Sequence, residues 1–298
     1  EEYQKAVPIA KYNDLKPYLE RMIRGEQNIL TAEAPIFYGM TTGSSTGEPK
    51  LTPITPAYRE EYQAVVHTFL YHVYKDHPQA FAGKVLYFTG HADKGQTPSG
   101  ITCGTMSGFN FIHLPPLVKK FYAVPYEITV IEDLWTRLYV TVLLSLQQNI
   151  SMMIGITGAP LIQFVQTLKK EASPLIQDLR TGQLRSELKL SDSERTLVRE
   201  KHKANPILAK RLESLLTSQG ELKPLDVWQN LELLICWKSS TAGGFLKELN
   251  LLFEKKIPIR DAIYSATEGW CNIPYRDDLI GGPLALNAHF YEFVLPED

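Results

Sequence analysis

The feature that most constrains the fold is a repeated order of segments. A short apolar run comes first, then a turn of small residues, then apolar residues at helical spacing. Ser151 to Ile156 (SMMIGI) reads as a buried strand, Thr157-Gly158-Ala159-Pro160 as a turn with proline at a helix start, and Leu161 to Glu171 as a helix. Leu231 to Trp237 (LELLICW), the glycines Gly243-Gly244, and Phe245 to Phe253 repeat that order. Lys84 to Thr89 (KVLYFT), closing at Gly90, and Ile259 to Tyr264 add two more strand candidates. Strands that alternate with helices re-enter a sheet in the same direction, because each helix carries the chain back across it. The expected fold is therefore α/β, with layered, mostly parallel sheets flanked by helices. Ligands of such sheets sit beyond the carboxyl ends of the strands, and three of the connecting loops fall at that edge.

Other segments fill in the frame. Tyr12 to Gly25 has helical spacing, with Asn13 or Asp14 as a candidate cap and Gly25 as the stop. Phe37 to Met40 is a short apolar run that leads into a polar loop, and Thr55 to Tyr74 then reads as a helix, so the expected order there is strand, loop, helix. Residues 90–108, rich in Gly, Ser and Thr, read as a loop over a site or a mobile surface segment. Residues 183–219 carry many charges and read as solvated helices, with a basic binding surface as the alternative.

Charge and composition remove several classes of function. The 298-residue chain carries 31 Lys and Arg against 33 Asp and Glu, a net charge of −2, which argues against nucleic acid as a main partner. Its longest apolar region, Glu127 to Ile150, is interrupted by Glu132, Asp133 and Arg137. The clean part is shorter than the roughly 20 residues a bilayer span needs, so one buried amphipathic helix over 128–149 is expected and no membrane partner. The three cysteines, Cys103, Cys236 and Cys271, are far apart and form no CxxC pair, so neither a zinc site nor a disulfide framework is suggested. The opening EEYQKAVPIA is acidic and polar, unlike a secretion signal, and a cytoplasmic location is expected.

The polar loop after Met40 carries the chemistry. It reads Thr41-Thr42-Gly43-Ser44-Ser45-Thr46-Gly47-Glu48-Pro49-Lys50. It fails the Walker A pattern in the spacing of its lysine and in Leu51, which stands where a hydroxyl is needed, and it fails the dinucleotide fingerprint. Hydroxyls and bare backbone N–H groups can still cradle phosphate oxygens, glycines allow close approach, and a lysine adds a point charge. Two other readings stand at this point. One is a mobile polar loop. The other is a serine-hydrolase elbow, since Gly43 to Gly47 fits G-x-S-x-G with Ser45 as nucleophile and His289 as the one late histidine. The remaining histidines carry little signal: none of the seven forms HExxH, His67 and His72 flank a helix surface, and His113 reads as structural.

The decapeptide resembles the phosphate loop of the adenylate-forming superfamily. Within that superfamily the chain is similar to the acyl acid amido synthetases, first known as auxin-responsive plant proteins. Gln4 to Leu30 resembles that family's lead-in, and Leu51-Thr52-Pro53-Ile54-Thr55 the segment after its lysine. Trp228 to Phe245 resembles its Trp…Gly-Gly stretch, with Gln229 where proline is usual. Tyr264-Ser265-Ala266-Thr267-Glu268 is similar to the second nucleotide motif, and Phe290-Tyr291-Glu292-Phe293 to the aromatic segment that follows it. The order holds along nearly the whole chain.

The resemblance implies an adenylate-forming large N-terminal domain over residues 1–298. It implies ATP and Mg²⁺ as cofactors, and a small carboxylic acid and an amino acid as substrates. The acid is activated as an acyl-adenylate and then joined to the amine as an amide. Thr41, Thr42, Gly43, Ser44, Ser45, Thr46, Gly47 and Lys50 would hold the β- and γ-phosphates. Gly243 and Gly244 would lie against the nucleotide, and Tyr264, Ser265 and Ala266 would line the adenine and α-phosphate. Thr267 would bond the α-phosphate and Glu268 would hold Mg²⁺. Lys50 and Glu268 are the expected catalytic residues. The acyl pocket would draw on Gly100 to Phe111 and the helix around Trp135, although Trp135 and Phe109 read as core residues, with Arg137 as a candidate for the substrate carboxylate. The family's third nucleotide motif and smaller C-terminal domain have no counterpart up to Asp298, so the domain is expected to be incomplete. An acyl-CoA-type ligase and a non-catalytic nucleotide-binding module remain as alternatives.

Overall fold

The structure, a computed structural model, describes residues 2–41 and 49–293. Thr42, Gly43, Ser44, Ser45, Thr46 and Gly47 therefore lie outside the described residues.

Helices α1 (Glu2–Ala6) and α2 (Tyr12–Ile23) precede strands β1 (Phe37–Thr41) and β2 (Lys50–Ile54), which pair antiparallel. Helix α3 (Pro56–Asp76) follows at once, because Thr55 accepts the Tyr58 amide as its cap and Pro56 fills the first helical position. Next come β3 (Lys84–Tyr87), β4 (Cys103–Gly104), α4 (Met106–Ile112), the short turns α5 (Pro116–Lys119) and α6 (Tyr126–Thr129), and α7 (Leu134–Ser145). Strand β5 (Ile150–Ile154) leads into α8 (Gly158–Lys170), α9 (Ala172–Thr181), α10 (Asp192–Lys201), α11 (Pro206–Gln219) and α12 (Pro224–Val227). Then follow β6 (Leu233–Cys236), a 3-10 turn at Ser240–Phe245, α13 (Leu246–Leu252), β7 (Ile259–Asp261) and the two-stranded hairpin β8 (Ser265–Ala266) and β9 (Gly269–Trp270).

Strands β3, β5, β6 and β7 lie side by side in that order, all parallel. Their side chains alternate between two buried faces. Leu86, Met153, Leu234 and Cys236 meet α7, α8, α9 and α13 on one face. Met152, Leu233 and Ile235 meet Val65, Phe69 and Val73 of α3 on the other. A smaller sheet, ordered β2-β1-β4, has its own core of Phe37, Ile54 and Phe109, with the Phe37 and Phe109 rings 4.3 Å apart. All four parallel strands deliver their carboxyl ends to one edge, from which residues 88–93, 155–157, 237–245 and 262–270 emerge.

Four expectations change. The loop after Met40 does not run from strand to helix: β2 stands between loop and α3. Strand β2 tolerates Pro53 because it is the edge of its sheet, where a missing N–H costs nothing. Residues 90–108 are not all loop, since β4 joins the small sheet parallel to β1; two residues are too few for a period to show. The long apolar region is two helices rather than one, α6 and α7, because the Asp133 carboxylate accepts the Thr136 amide at 3.0 Å and starts α7 afresh. The strand expected over Ile259 to Tyr264 stops at Asp261, and the hairpin takes over. Among the described residues no helix is long and apolar enough to cross a membrane.

Candidate functional site

Thr41 and Lys50 are the register pair of the β1–β2 hairpin next to its connection, so they bracket the polar loop. The Lys50 ammonium lies 4.7 Å from the centre of the Tyr12 ring, at the start of α2. An aromatic face holds a cation there without neutralising it.

The second motif arrives at the same strand. Ser265 pairs with Trp270 and Ala266 with Gly269, which leaves Thr267 and Glu268 as the two turn residues of the β8–β9 hairpin. That turn rests on β1: a Cβ added at Gly39 would lie 2.2 Å from the Thr267 Cγ2. Only a residue without a side chain fits beneath it. Met106, at the start of α4, flanks the same spot, with its Sδ 3.1 Å from that position. Residues separated by most of the chain thus converge two positions before Thr41.

The turn is held from below and behind. Tyr58 Oη donates to the Thr267 carbonyl at 3.0 Å. Burial pushes the Tyr58 phenol far above its ordinary value, and the nearby Glu268 and Glu61 charges push it the same way. It therefore stays a hydrogen-bond donor at any working pH. His289 Nε2 accepts the Trp270 N–H at 3.0 Å, so its proton sits on Nδ1, 3.7 Å from the Glu61 carboxylate. The Tyr62 and Trp270 rings pack at 4.5 Å.

The remaining nucleotide candidates lie on the carboxyl edge. Glu268 is exposed at the hairpin tip, Ser265 is half-buried and Ala266 exposed. Tyr264 is exposed too, with its amide bonded to Asn272 Oδ1 at 2.7 Å. Gly243 and Gly244 sit in the 3-10 turn after β6, one strand over. The Trp237 indole, just past β6, donates to the Ile263 carbonyl, just past β7, at 2.9 Å and ties the two segments together. Gly243 lies against the Lys238 carbonyl, whereas the side-chain position of Gly244 faces open space. Among the described residues no three His, Cys, Asp or Glu side chains gather to hold a metal. A lone exposed carboxylate fits Mg²⁺, which takes one or two protein carboxylates and fills its shell with phosphate oxygens and water.

Several candidates have other work. Phe109 is core, stacked on Phe37. The Trp135 indole donates to Glu171 at 3.3 Å and lies under the Arg185 guanidinium, which fits a structural role. Arg137 Nη1 donates to the Ile131 carbonyl at 2.9 Å. The elbow reading of Ser45 loses its context, since paired antiparallel strands flank the loop and His289 is engaged by the Trp270 amide. Burial holds the thiols of Cys103, Cys236 and Cys271 above their ordinary values, Cys236 up to about 12, so none is a ready nucleophile. Sequence reasoning missed Gly39, Tyr58 and Glu61, and met Met106 only as part of the Gly100 to Phe111 segment. Nothing local marks them, because their partners lie across the fold.

Comparison with known proteins identifies the family of the chain. The family model described as the GH3 family N-terminal domain matches residues 1–259. The chain belongs to the GH3 family. The jasmonoyl-L-amino acid synthetase JAR6 of Nicotiana attenuata is 23% identical over 308 aligned positions, covering 98% of this chain and 52% of the relative. The indole-3-acetic acid-amido synthetase GH3.6 of Arabidopsis thaliana is 24% identical over 310, covering 99% and 50%. The solved structure of the AtGH3.15 acyl acid amido synthetase in complex with 2,4-DB superposes with a TM-score of 0.78 at 19% identity, over 92% of this chain and 48% of that one. The GH3 chain thus spans about half the length of the curated relatives it matches. The shared fold bears out the α/β expectation, and the family match bears out the resemblance read from the motifs.

Proposed function

We propose that this GH3 chain binds ATP and a small carboxylic acid, joins them as an acyl-adenylate, and serves an enzyme that passes the acyl group to an amino acid. On this reading residues 1–298 belong to the large N-terminal adenylate-forming domain. The observation that carries the proposal is the Thr267–Glu268 turn lying on Gly39, at the root of the loop that Thr41 and Lys50 bracket. Chance gives no reason for a Thr-Glu turn to rest on the strand that leads into a hydroxyl-rich loop, its carbonyl held by a tyrosine 209 positions away in the chain.

The roles follow from charge. A carboxylate is a poor electrophile, and one of its oxygens must approach an α-phosphorus surrounded by negative charge. In the first step that oxygen bonds to the α-phosphorus while the α–β phosphoanhydride bond breaks, and pyrophosphate leaves. In the second, the amine nitrogen bonds to the acyl carbon, the acyl–phosphate C–O bond breaks, AMP leaves, and nitrogen gives up a proton. The Lys50 ammonium, the hydroxyls of Thr41, Thr42, Ser44, Ser45 and Thr46, and the backbone at Gly43 and Gly47 would hold the β- and γ-phosphates and neutralise the departing charge. Thr267 would donate to the α-phosphate. Tyr264, Ser265, Ala266, Gly243 and Gly244 would border the nucleotide. Mg²⁺, held by Glu268 and phosphate oxygens, would supply electrostatic neutralisation. The names of the relatives support a small organic acid and an amino acid as substrates. A cytoplasmic site, where ATP is supplied, is part of the same proposal.

The test is acid-dependent exchange of labelled pyrophosphate into ATP, run with jasmonate, indole-3-acetate and a panel of simpler acids. Amino acids are then added and AMP release is followed. Exchange that needs an acid, and AMP release that needs an amine, are expected. Failure of every acid to drive exchange would sink the activation reading. Release driven by coenzyme A instead of amino acids would favour the thiol-transferring alternative.

A further inference from the structure

We propose that Tyr58 and Gly39 form a positioning pair that sets the place of the Thr267–Glu268 turn relative to the phosphate-loop hairpin; as a statement about ATP, it rests on the function proposed above. The argument starts from how Thr267 is held. Its carbonyl accepts from Tyr58 Oη at 3.0 Å, and its Cγ2 occupies the space a side chain at Gly39 would need. Among the described residues, its hydroxyl and the Glu268 carboxylate make no hydrogen bond or ion pair. The turn is thus fixed through groups with no chemistry to offer, and the groups with chemistry are left for a ligand.

The anchor for that hold is the hairpin itself. Tyr58 stands in the first turn of α3, and α3 starts immediately past β2 through the Thr55 cap. The Tyr58 ring packs against the core of Phe37, Ile54 and Phe109, which is built from β1, β2 and α4. Moving β1 or β2 therefore moves the hydroxyl that holds Thr267. One short rigid path links Lys50, at the head of β2, to Glu268, at the tip of the turn. A reaction that needs opposite ends of one triphosphate held at a fixed separation loses rate when that path loosens.

Tyr58→Phe removes the hydroxyl and keeps the ring. Two readouts follow it in the full chain. Hydrogen–deuterium exchange of a peptide covering residues 262–272 reads the turn directly, with faster exchange at the Thr267 to Trp270 amides expected and a nearly unchanged melting temperature. In the pyrophosphate-exchange assay, KM for ATP rises about tenfold, the equivalent of one hydrogen bond, while KM for the acid stays put. A second pair of variants tests the Gly39 side. Gly39→Ala drives a methyl into Thr267 and raises both readouts. Adding Thr267→Ser removes the Cγ2 it strikes, keeps the hydroxyl, and restores protection and ATP affinity towards wild type. Unchanged exchange at the turn in Tyr58→Phe, with no rescue by Thr267→Ser, would overturn the pair. If the wild-type chain shows no ATP-dependent reaction, the function reading falls, and the exchange readout still judges the positioning.

Discussion

Lys50 and Glu268 are single charges at the loop ends of two hairpins, and each can be altered with little cost to the fold. Lys50 is half-buried and its contact with Tyr12 contributes at most about 1 kcal/mol. Lys50→Ala should therefore lower kcat/KM for pyrophosphate exchange by about 100-fold or more while leaving the urea midpoint nearly unchanged. Lys50→Arg should recover part of the loss, since it keeps the charge and changes its shape. A wild-type rate in the alanine variant would remove Lys50 from the site. Glu268→Gln keeps the outline of the side chain and deletes the charge. It should shift half-maximal activity to higher Mg²⁺, read by titrating the metal back after chelation; an unshifted curve would free Glu268 from metal binding.

Among elements, α3 matters most, because it carries both the face that buries one side of the main sheet and the tyrosine under the turn. Thr55 starts it, and is itself buried. Thr55→Ala should cost about 1 kcal/mol in chemical denaturation, and Thr55→Ser much less, because serine still offers an oxygen to the Tyr58 amide. The other end of α3 is tied to β7 through a buried cation. The Arg260 side chain is fully buried and donates to Asp277 and, at 2.6 Å, to Asp76, while His77 lies 2.6 Å from the other Asp277 oxygen. Asp277→Ala should destabilise the protein by about 1–3 kcal/mol, since the buried guanidinium loses one of its two carboxylates and keeps only Asp76, and Asp277→Asn by less. Equal denaturation midpoints for wild type and Asp277→Ala would show that Arg260 finds another partner.

Taken whole, the molecule has a titratable group deep in its helical layer, away from the proposed site. His202 is buried, with Nε2 donating to the Asp178 carbonyl at 3.0 Å. Burial lowers its pKa from the ordinary 6.5, partly offset by the hydrogen bond and charge of Asp178 and reinforced by Lys203. The unfolded chain takes up that proton near 6.5, and the folded chain only at lower pH. Stability from this group is therefore full above about 6.5 and lost as pH falls towards the folded value. Asp178, which accepts from Tyr139 at 2.8 Å, is shifted the other way by burial. Its contribution is full below the ordinary 3.8 and is lost as pH rises through its raised folded value. Melting temperature should drop between about pH 7 and pH 5.5, and His202→Gln should flatten that slope; parallel slopes would assign the drop to other groups.

Much of this protein is legible without coordinates. The alternation of strand, turn and helix dictates a parallel sheet, because a period is a local property that burial on two faces imposes on each strand. The β5–α8 and β6–α13 units follow that pattern. The hydroxyl-rich loop and Thr267–Glu268 point to phosphate chemistry only through their resemblance to a family's motifs, since by residue type alone the loop fits a mobile segment or a hydrolase elbow as well. What local pattern cannot show is a strand of two residues such as β4, or an edge strand interrupted by Pro53, since their stability comes from pairing with β1. The meeting of the two motifs belongs to tertiary structure as well. Gly39 looks like any glycine in a strand until Thr267 is laid upon it, and Tyr58 looks like any aromatic residue on a helix until its hydroxyl finds a carbonyl 209 positions away. Residue type sets which groups can bind a charge; only the packing of β1, α3 and the β8–β9 hairpin sets where those groups stand, because distances between segments far apart in the chain are determined by the core they share.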